Sequence, residues 1–275
     1  MFPDLVDIGF LHLKTYGACI AVGFILCWTL VEKLSGRKDL SNLLLALMVG
    51  GITGSRIAYV IEHWQSEFAA NPAAVIRIDQ GGLMFYGGFI LSFVIFFAWC
   101  FVKKEHPLRL ADLLAAVIPL GHACGRIGCF FYGCCYGRDS DAWCAVTFPA
   151  GSPSWHEHGR RLVSVLPTQL FEAAALLALF GLLMFIWHRH AAPGTKRQTP
   201  STKHQAPGAI LGLYLIGYAV IRFFIEILRG DPRAAVGPFS ISQTISIVMI
   251  SLGAAFVTHA LQGQRKMVDG AEDRG

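Results

Sequence analysis

The sequence predicts an all-α membrane protein with seven transmembrane helices, on three observations. Hydrophobic residues make up 54% of the 275 positions and charged residues only 15%, with a mean hydropathy of +0.52, which is too apolar for a soluble domain of this size. The apolar residues fall into seven stretches, each close to the roughly 20 residues a helix needs to cross a bilayer. The basic residues sit in short loops between those stretches. The net charge of +5 and the pI of 8.8 therefore report membrane topology, and no nucleic-acid partner is expected. No sustained heptads, short repeats or polar block of soluble-domain size interrupt the pattern. One membrane domain over 1–262 and a polar tail over 263–275 are expected.

Taken in order, the N-terminal MFPDLVDIGF carries Asp4 and Asp7 and no Lys or Arg, the opposite of a secretory signal's basic start, so no cleaved signal peptide is expected. The first span covers about 13–34. The second, about 42–62, carries Gly50, Gly51, Gly54 and Ser55, a face suited to close helix contact, and then Arg56 at membrane depth. The third covers about 83–102. The fourth starts near 108 and leads into GHACGRIGCFFYGCCYGR, Gly121 to Arg138. A small head over 139–166 follows, where Gly151, Pro153 and Gly159 favour turns and His156 and His158 read as solvated loop residues, with substrate contact from the head, together with Arg160 and Arg161, as the alternative. The fifth span, about 167–187, opens at Pro167, which suits a first helical turn. A linker rich in Lys, Thr, Pro and Gln runs over 188–207, the sixth span covers about 208–228, and the seventh about 241–261. The tail beyond it reads as disordered.

The lysine and arginine bias sets the orientation. With the N-terminus outside, the basic loops at 33–38, 103–109 and 188–203 and the tail lie in the cytoplasm, as the positive-inside rule requires. Seven of the eight lysines then face inward, Lys14 being the exception. The outward and intramembrane cations are otherwise arginines: Arg56, Arg77, Arg126, Arg138, Arg160, Arg161, Arg222, Arg229 and Arg233. Arginine offers a planar fork for bidentate phosphate binding, so several of these are expected to converge on the outer half of the bundle.

Arg126 is the most unusual of them. An arginine near the bilayer centre costs about 2.5–3.5 kcal/mol on insertion scales and is tolerated in a bundle interior or a wet cavity; a snorkelling interfacial residue is the alternative. Arg222 and Glu226 stand at i,i+4 and can pair on one helix face, either to position the arginine for a phosphate or to lock two spans together. Tyr16, Tyr86, His122, Gln169 and Glu172 add hydrogen-bonding groups near the outer ends of spans. Cys129, Cys134, Cys135 and Cys144 lie within sixteen positions on the outer side. In an oxidising compartment one or two disulfides are the default, with metal binding or a reactive thiol as alternatives. The CC pair and the CxxxxC spacing match no standard zinc pattern, so no metal site is expected.

Six stretches together resemble the prolipoprotein diacylglyceryl transferase family: TYG at Thr15 to Gly17, GGLMFYGG at Gly81 to Gly88, GRIGCFFYGCCYGR at Gly125 to Arg138, PTQLFE at Pro167 to Glu172, RFFIEILR at Arg222 to Arg229, and SQTIS at Ser242 to Ser246. They occur in family order over nearly the whole chain. The resemblance implies a multi-pass enzyme of the bacterial inner membrane, active toward the outer leaflet, with no cofactor. Its partners are phosphatidylglycerol, the lipobox cysteine in a prolipoprotein signal peptide, and the bilayer. It implies that Arg126 and Arg222 neutralise the departing phosphate, that Tyr16 positions the lipid, and that Gln169, Glu172, Glu226 and Arg229 support them. Tyr86 stands where the family has the His of FHGG, and Cys129, Tyr132 and Cys134 stand where GRxGNFxNGExxGR has its two Asn and its Glu. Tyr86 or a cysteine is thus the candidate to take over the lost proton-acceptor role. Another acceptor molecule for the same lipid, or a non-catalytic lipid-binding or thiol-redox role on the same fold, are the alternatives.

Overall fold

A computed structural model describes residues 4–8, 11–69, 71–77, 82–190, 207–231 and 235–272. Gly81, Arg233, most of the 188–207 linker and the end of the tail lie outside the described residues. Seven helices are long and apolar enough to cross a membrane: α1 (Thr15–Ser35), α2 (Leu40–Glu62), α3 (Phe85–Lys103), α4 (Pro107–Tyr132), α6 (Thr168–His190), α7 (Ala209–Leu228) and α8 (Ile241–Glu272). A short α5 (Pro153–Glu157) lies in the head between α4 and α6. All seven predicted span starts lie within two residues of a helix start; α8 differs at its other end, because the helix continues through the polar tail to Glu272.

α4 is the hub, packed against α1, α6 and α7, whereas α3 packs on α2 and α8 on α7. It begins with Pro107 at its first turn, where the missing N–H costs nothing, and ends at Gly133, whose φ of +80° a side chain would resist. Small residues let the helices close in. A Cβ on Gly212 of α7 would stand 2.8 Å from the Gly253 carbonyl of α8, and one on Gly253 would stand 2.7 Å from the Gly212 carbonyl, so both glycines are required for that approach.

The helix ends around the α1–α2 and α3–α4 loops are held by charge. Asp112, buried near the start of α4, accepts hydrogen bonds from the Gly208 and Leu211 amides at 2.7 and 2.8 Å. It thereby caps the N-terminus of α7, whose first amides have no intrahelical partner. Arg37 bridges Asp39 and Glu105 at 2.6 Å each, joining the α1–α2 and α3–α4 loops. Toward lipid the surface is apolar: Phe85, Phe89, Phe93, Phe97 and Phe101 run at i,i+4 along α3, all at least 44% exposed.

Three features depart from the sequence reading. The N-terminal segment forms an antiparallel hairpin of β1 (Asp4–Ile8) and β2 (Leu11–Lys14). The head carries a two-stranded ribbon of β3 (Val146–Thr147) and β4 (Ser164–Val165) over a core of Tyr136, Phe148 and Val165. Within it Tyr136 donates to Glu157. Burial, then the Glu157 carboxylate, push the Tyr136 phenol above its ordinary value, so it remains the donor.

His158 is the third departure, because it is paired and not simply solvated: Nε2 lies 3.0 Å from Asp139 Oδ1, and Nδ1 lies 2.7 Å from the Ser154 carbonyl. Burial disfavours its imidazolium, but the Ser154 carbonyl and the Asp139 carboxylate outweigh it and hold the group above the ordinary histidine value. A raised folded-state pKa stabilises fully below the unfolded value, near 6.5, and the gain is lost as pH rises through the folded value. Amide hydrogen exchange in α5 is therefore expected to lose protection as pH climbs above about 6.5, after correction for intrinsic exchange, and His158→Gln is expected to abolish that slope. An unchanged slope in the variant would assign the dependence elsewhere.

Candidate functional site: an arginine pair and a thiol cluster

The site lies where the C-terminal ends of α4 and α7 meet the N-terminal end of α6, and the reason is local in each case. Arg126 lies six residues before the end of α4, roughly 9 Å below it at 1.5 Å per residue. Its Nε is 3.1 Å from Oε1 of Glu172 on α6, a carboxylate with 1% exposure. The two atoms are close enough for an ion pair, yet they are off the N–H direction and neither makes a hydrogen bond. Arg222 on α7 donates through Nη2 to Glu226 at 2.5 Å and to Ser242 of α8 at 2.9 Å. Its Nη1 is buried with no hydrogen-bond partner among the described residues. Glu172 is within electrostatic range of both arginines.

A buried donor without an acceptor costs about 1–3 kcal/mol, more when charged. Arg222 Nη1 therefore has capacity for an anionic oxygen that no side chain here supplies. Tyr218, one helical turn before Arg222, interacts with Arg126 and faces His122 at a ring separation of 5.0 Å. The site thus presents two guanidinium groups held by two carboxylates and a serine, with phenol and imidazole groups beside them.

Beyond α4 the chain turns sharply. The amides of Gly133 and Cys134 both bond the Cys129 carbonyl, at 2.9 and 3.2 Å. Cys135 is left-handed, with φ of +64°, a conformation that costs a non-glycine residue about 1–2 kcal/mol. The start of α6 holds it there: Gln169 Nε2 donates to the Cys134 carbonyl at 2.8 Å and Thr168 Oγ1 to the Cys135 carbonyl at 3.0 Å. The turn brings Cys129, Cys134 and Cys135 together, with all three sulfurs within 4.8 Å of one another. All eight cysteines are free, and Cys144 is not part of the cluster.

The predicted residues sort accordingly. Arg126, Glu172, Arg222 and Glu226 form one arginine–carboxylate cluster. Gln169 holds the cysteine turn, and Tyr16 packs over Gly128 with its ring 6.5 Å from that of Tyr132. Arg229 lies on the turn side, where it forms a two-pronged pair with Asp231 at 2.7 and 2.6 Å and also reaches Cys135. Tyr86 is 59% exposed at the first turn of α3, with Phe85 as its ring neighbour among the described residues.

The expected convergence of arginines is narrower than the charge pattern implied. Arg56 donates to the carbonyls of Ala74, Val75 and Gly82, so it fixes the α2–α3 loop, and Arg160 and Arg161 are exposed on the head. Tyr218 and Asp231 were not anticipated. A signal for Tyr218 exists, since Tyr214, Tyr218, Arg222 and Glu226 recur every four residues on one face of α7.

The sequence profile described as prolipoprotein diacylglyceryl transferase matches residues 3–259. A phosphatidylglycerol–prolipoprotein diacylglyceryl transferase of Pseudoalteromonas translucida is 32% identical over 274 residues, covering 94% of this chain and 92% of the relative. One of Clostridium perfringens is 33% identical, covering 87% and 88%, and one of Bordetella bronchiseptica is 30% identical, covering 92% of each. With the seven spans and the buried arginine pair in place, the match over nearly the full length makes this chain a member of the prolipoprotein diacylglyceryl transferase family.

Proposed function

We propose that the chain transfers the diacylglyceryl group of phosphatidylglycerol to the lipobox cysteine thiol of a prolipoprotein, releasing glycerol phosphate. The reaction takes place at the outer leaflet of the bacterial inner membrane. The observation that carries this reading is the buried Arg126–Glu172 and Arg222–Glu226 arrangement with Arg222 Nη1 left for an external acceptor.

The chemistry follows from charge. The phosphodiester of the lipid carries one negative charge, and breaking the glyceryl carbon–oxygen bond places the bonding pair, and a second charge, on the departing phosphate. Donors that meet this developing charge stabilise the transition state more than the bound lipid, which is the condition for acceleration. Arg126 and Arg222 are already fixed by their carboxylates, so little reorganisation accompanies the step. The acceptor must react as a thiolate, the nucleophilic form, and the cationic surroundings favour that anion. Tyr16, at the mouth of the α1–α4 seam, is placed to orient the lipid.

The test is depletion and rescue: the gene is expressed in a bacterium whose own diacylglyceryl transferase is switched off, and a lipoprotein precursor is followed by mass. The precursor is expected to gain the diacylglyceryl mass with the wild type and not with Arg126→Ala. Unmodified precursor in cells that hold well-inserted protein would mean a different acceptor.

A further inference from the structure

The position where the family carries a carboxylate is a thiol here, as is one of its two asparagine positions, and these residues do not simply fill space. Three sulfurs from one short turn lie within 4.8 Å of one another, and the chain holds Cys135 in a left-handed conformation to keep them so. Apolar packing does not require that conformation, and a disulfide would use two of the sulfurs and leave the third. We propose that Cys129, Cys134 and Cys135 form a three-thiolate site for a thiophilic divalent ion, zinc by preference, with a fourth coordination position open to the acceptor thiol.

The geometry, charge and access agree. Zinc–thiolate bonds of about 2.3 Å in a tetrahedron place sulfurs about 3.8 Å apart, so the cluster closes on an ion by a movement of about 1 Å or less. Zinc with three thiolates carries one net negative charge. Arg229 contacts Cys135, and Arg126 is within electrostatic range of Cys129 and Cys135, so that charge is balanced from two sides. The turn is also braced: Gln169 and Thr168 fix the carbonyls behind Cys134 and Cys135, as outer groups do around metal ligands. Cys134 and Cys135 keep partial exposure, so an incoming thiol can reach them. The ligand spacing is unlike standard zinc motifs because the ligands are gathered by the Gly133 turn and the left-handed Cys135, not by a zinc knuckle.

The fourth position gives the site a chemical use, and this part rests on the diacylglyceryl transfer reading. A thiol that coordinates zinc gives up its proton, here to water. The coordinated sulfur then forms a bond to the glyceryl carbon as the carbon–oxygen bond to phosphate breaks, and glycerol phosphate departs with the bonding pair. The thioether produced is neutral and a weak ligand, so it leaves the metal. Metal activation would thus stand in for the imidazole and carboxylate absent from positions 86 and 134.

The full chain, purified in detergent and stripped with chelator, is incubated with zinc, freed of excess and assayed for bound metal; parallel samples receive cobalt and are read for thiolate-to-cobalt charge-transfer absorption. About one ion per chain and a charge-transfer band are expected, with affinity falling roughly 100-fold in Cys134→Ser and Cys135→Ser and unchanged in Cys144→Ser. Circular dichroism confirms that each variant is folded. No retained zinc and no cobalt band, or a disulfide found among the three cysteines by peptide mass, overturns the site. The transfer role is read separately by precursor mass: Cys135→Ser is expected to lose transfer while wild type supports it. Transfer at the wild-type rate in that variant removes the activating role and leaves the metal site standing. Zinc bound by a wild type that leaves the precursor unmodified sinks the transfer reading alone.

Discussion

Replacing Arg222 by lysine is expected to lower transfer by about 100- to 1,000-fold, the cost of losing one preorganised donor to a developing oxyanion. The substitution keeps the charge, so charge alone predicts a small effect. The geometry predicts a large one. In the wild type Nη2 is occupied by Glu226 and Ser242, while Nη1 has no hydrogen-bond partner among the described residues. One guanidinium plane thus holds its own support and presents a second donor outward. A lysine ammonium is a single point that must either stay with Glu226 or turn to the phosphate. The loss should appear mainly in kcat, because the interaction strengthens as charge builds on the leaving group, with KM for phosphatidylglycerol changing far less. A variant within about threefold of wild type would show that charge suffices and that the forked geometry has no catalytic value.

The seven spans were legible because hydropathy acts over whole segments and a bilayer fixes their length. What escaped were structures that local pattern does not encode. The β1–β2 hairpin lies in a stretch that reads as an acidic lead-in, and the polar continuation of α8 has no apolar face to announce it. In the site, Arg222 and Glu226 could be paired from spacing because both lie on one helix. Arg126 and Glu172 were visible as residues but not as a pair, since nothing in sequence spacing sets α4 against α6. Tyr86 shows the converse. Its motif position, which suggests a proton acceptor, is legible in the sequence, but its exposure at the first turn of α3, a helix packed on α2, is not. Asp112 has no partner that sequence spacing could name, since Gly208 and Leu211 lie 96 and 99 residues away, and only the return of α7 to its side reveals a helix cap.

Glu172→Gln is expected to lower unfolding free energy by about 3–5 kcal/mol, because it leaves the Arg126 guanidinium buried without its counter-charge. This loss is a cost of the unpaired cation and does not measure the net worth of the pair. The distinction is testable with Arg126→Met combined with Glu172→Leu, which removes both charges and fills similar volume. The double variant is expected to recover most of the stability, since replacing a buried ion pair by apolar groups is often neutral or favourable. It is expected to recover none of the transfer. If the pair existed only to lock α4 to α6, an apolar replacement that packs as well would function as well, and transfer in the double variant would refute the phosphate role of Arg126. If instead stability returns while transfer does not, the charge is retained against its desolvation cost because the departing phosphate requires it. Thermal unfolding in detergent reads the first quantity and precursor mass the second.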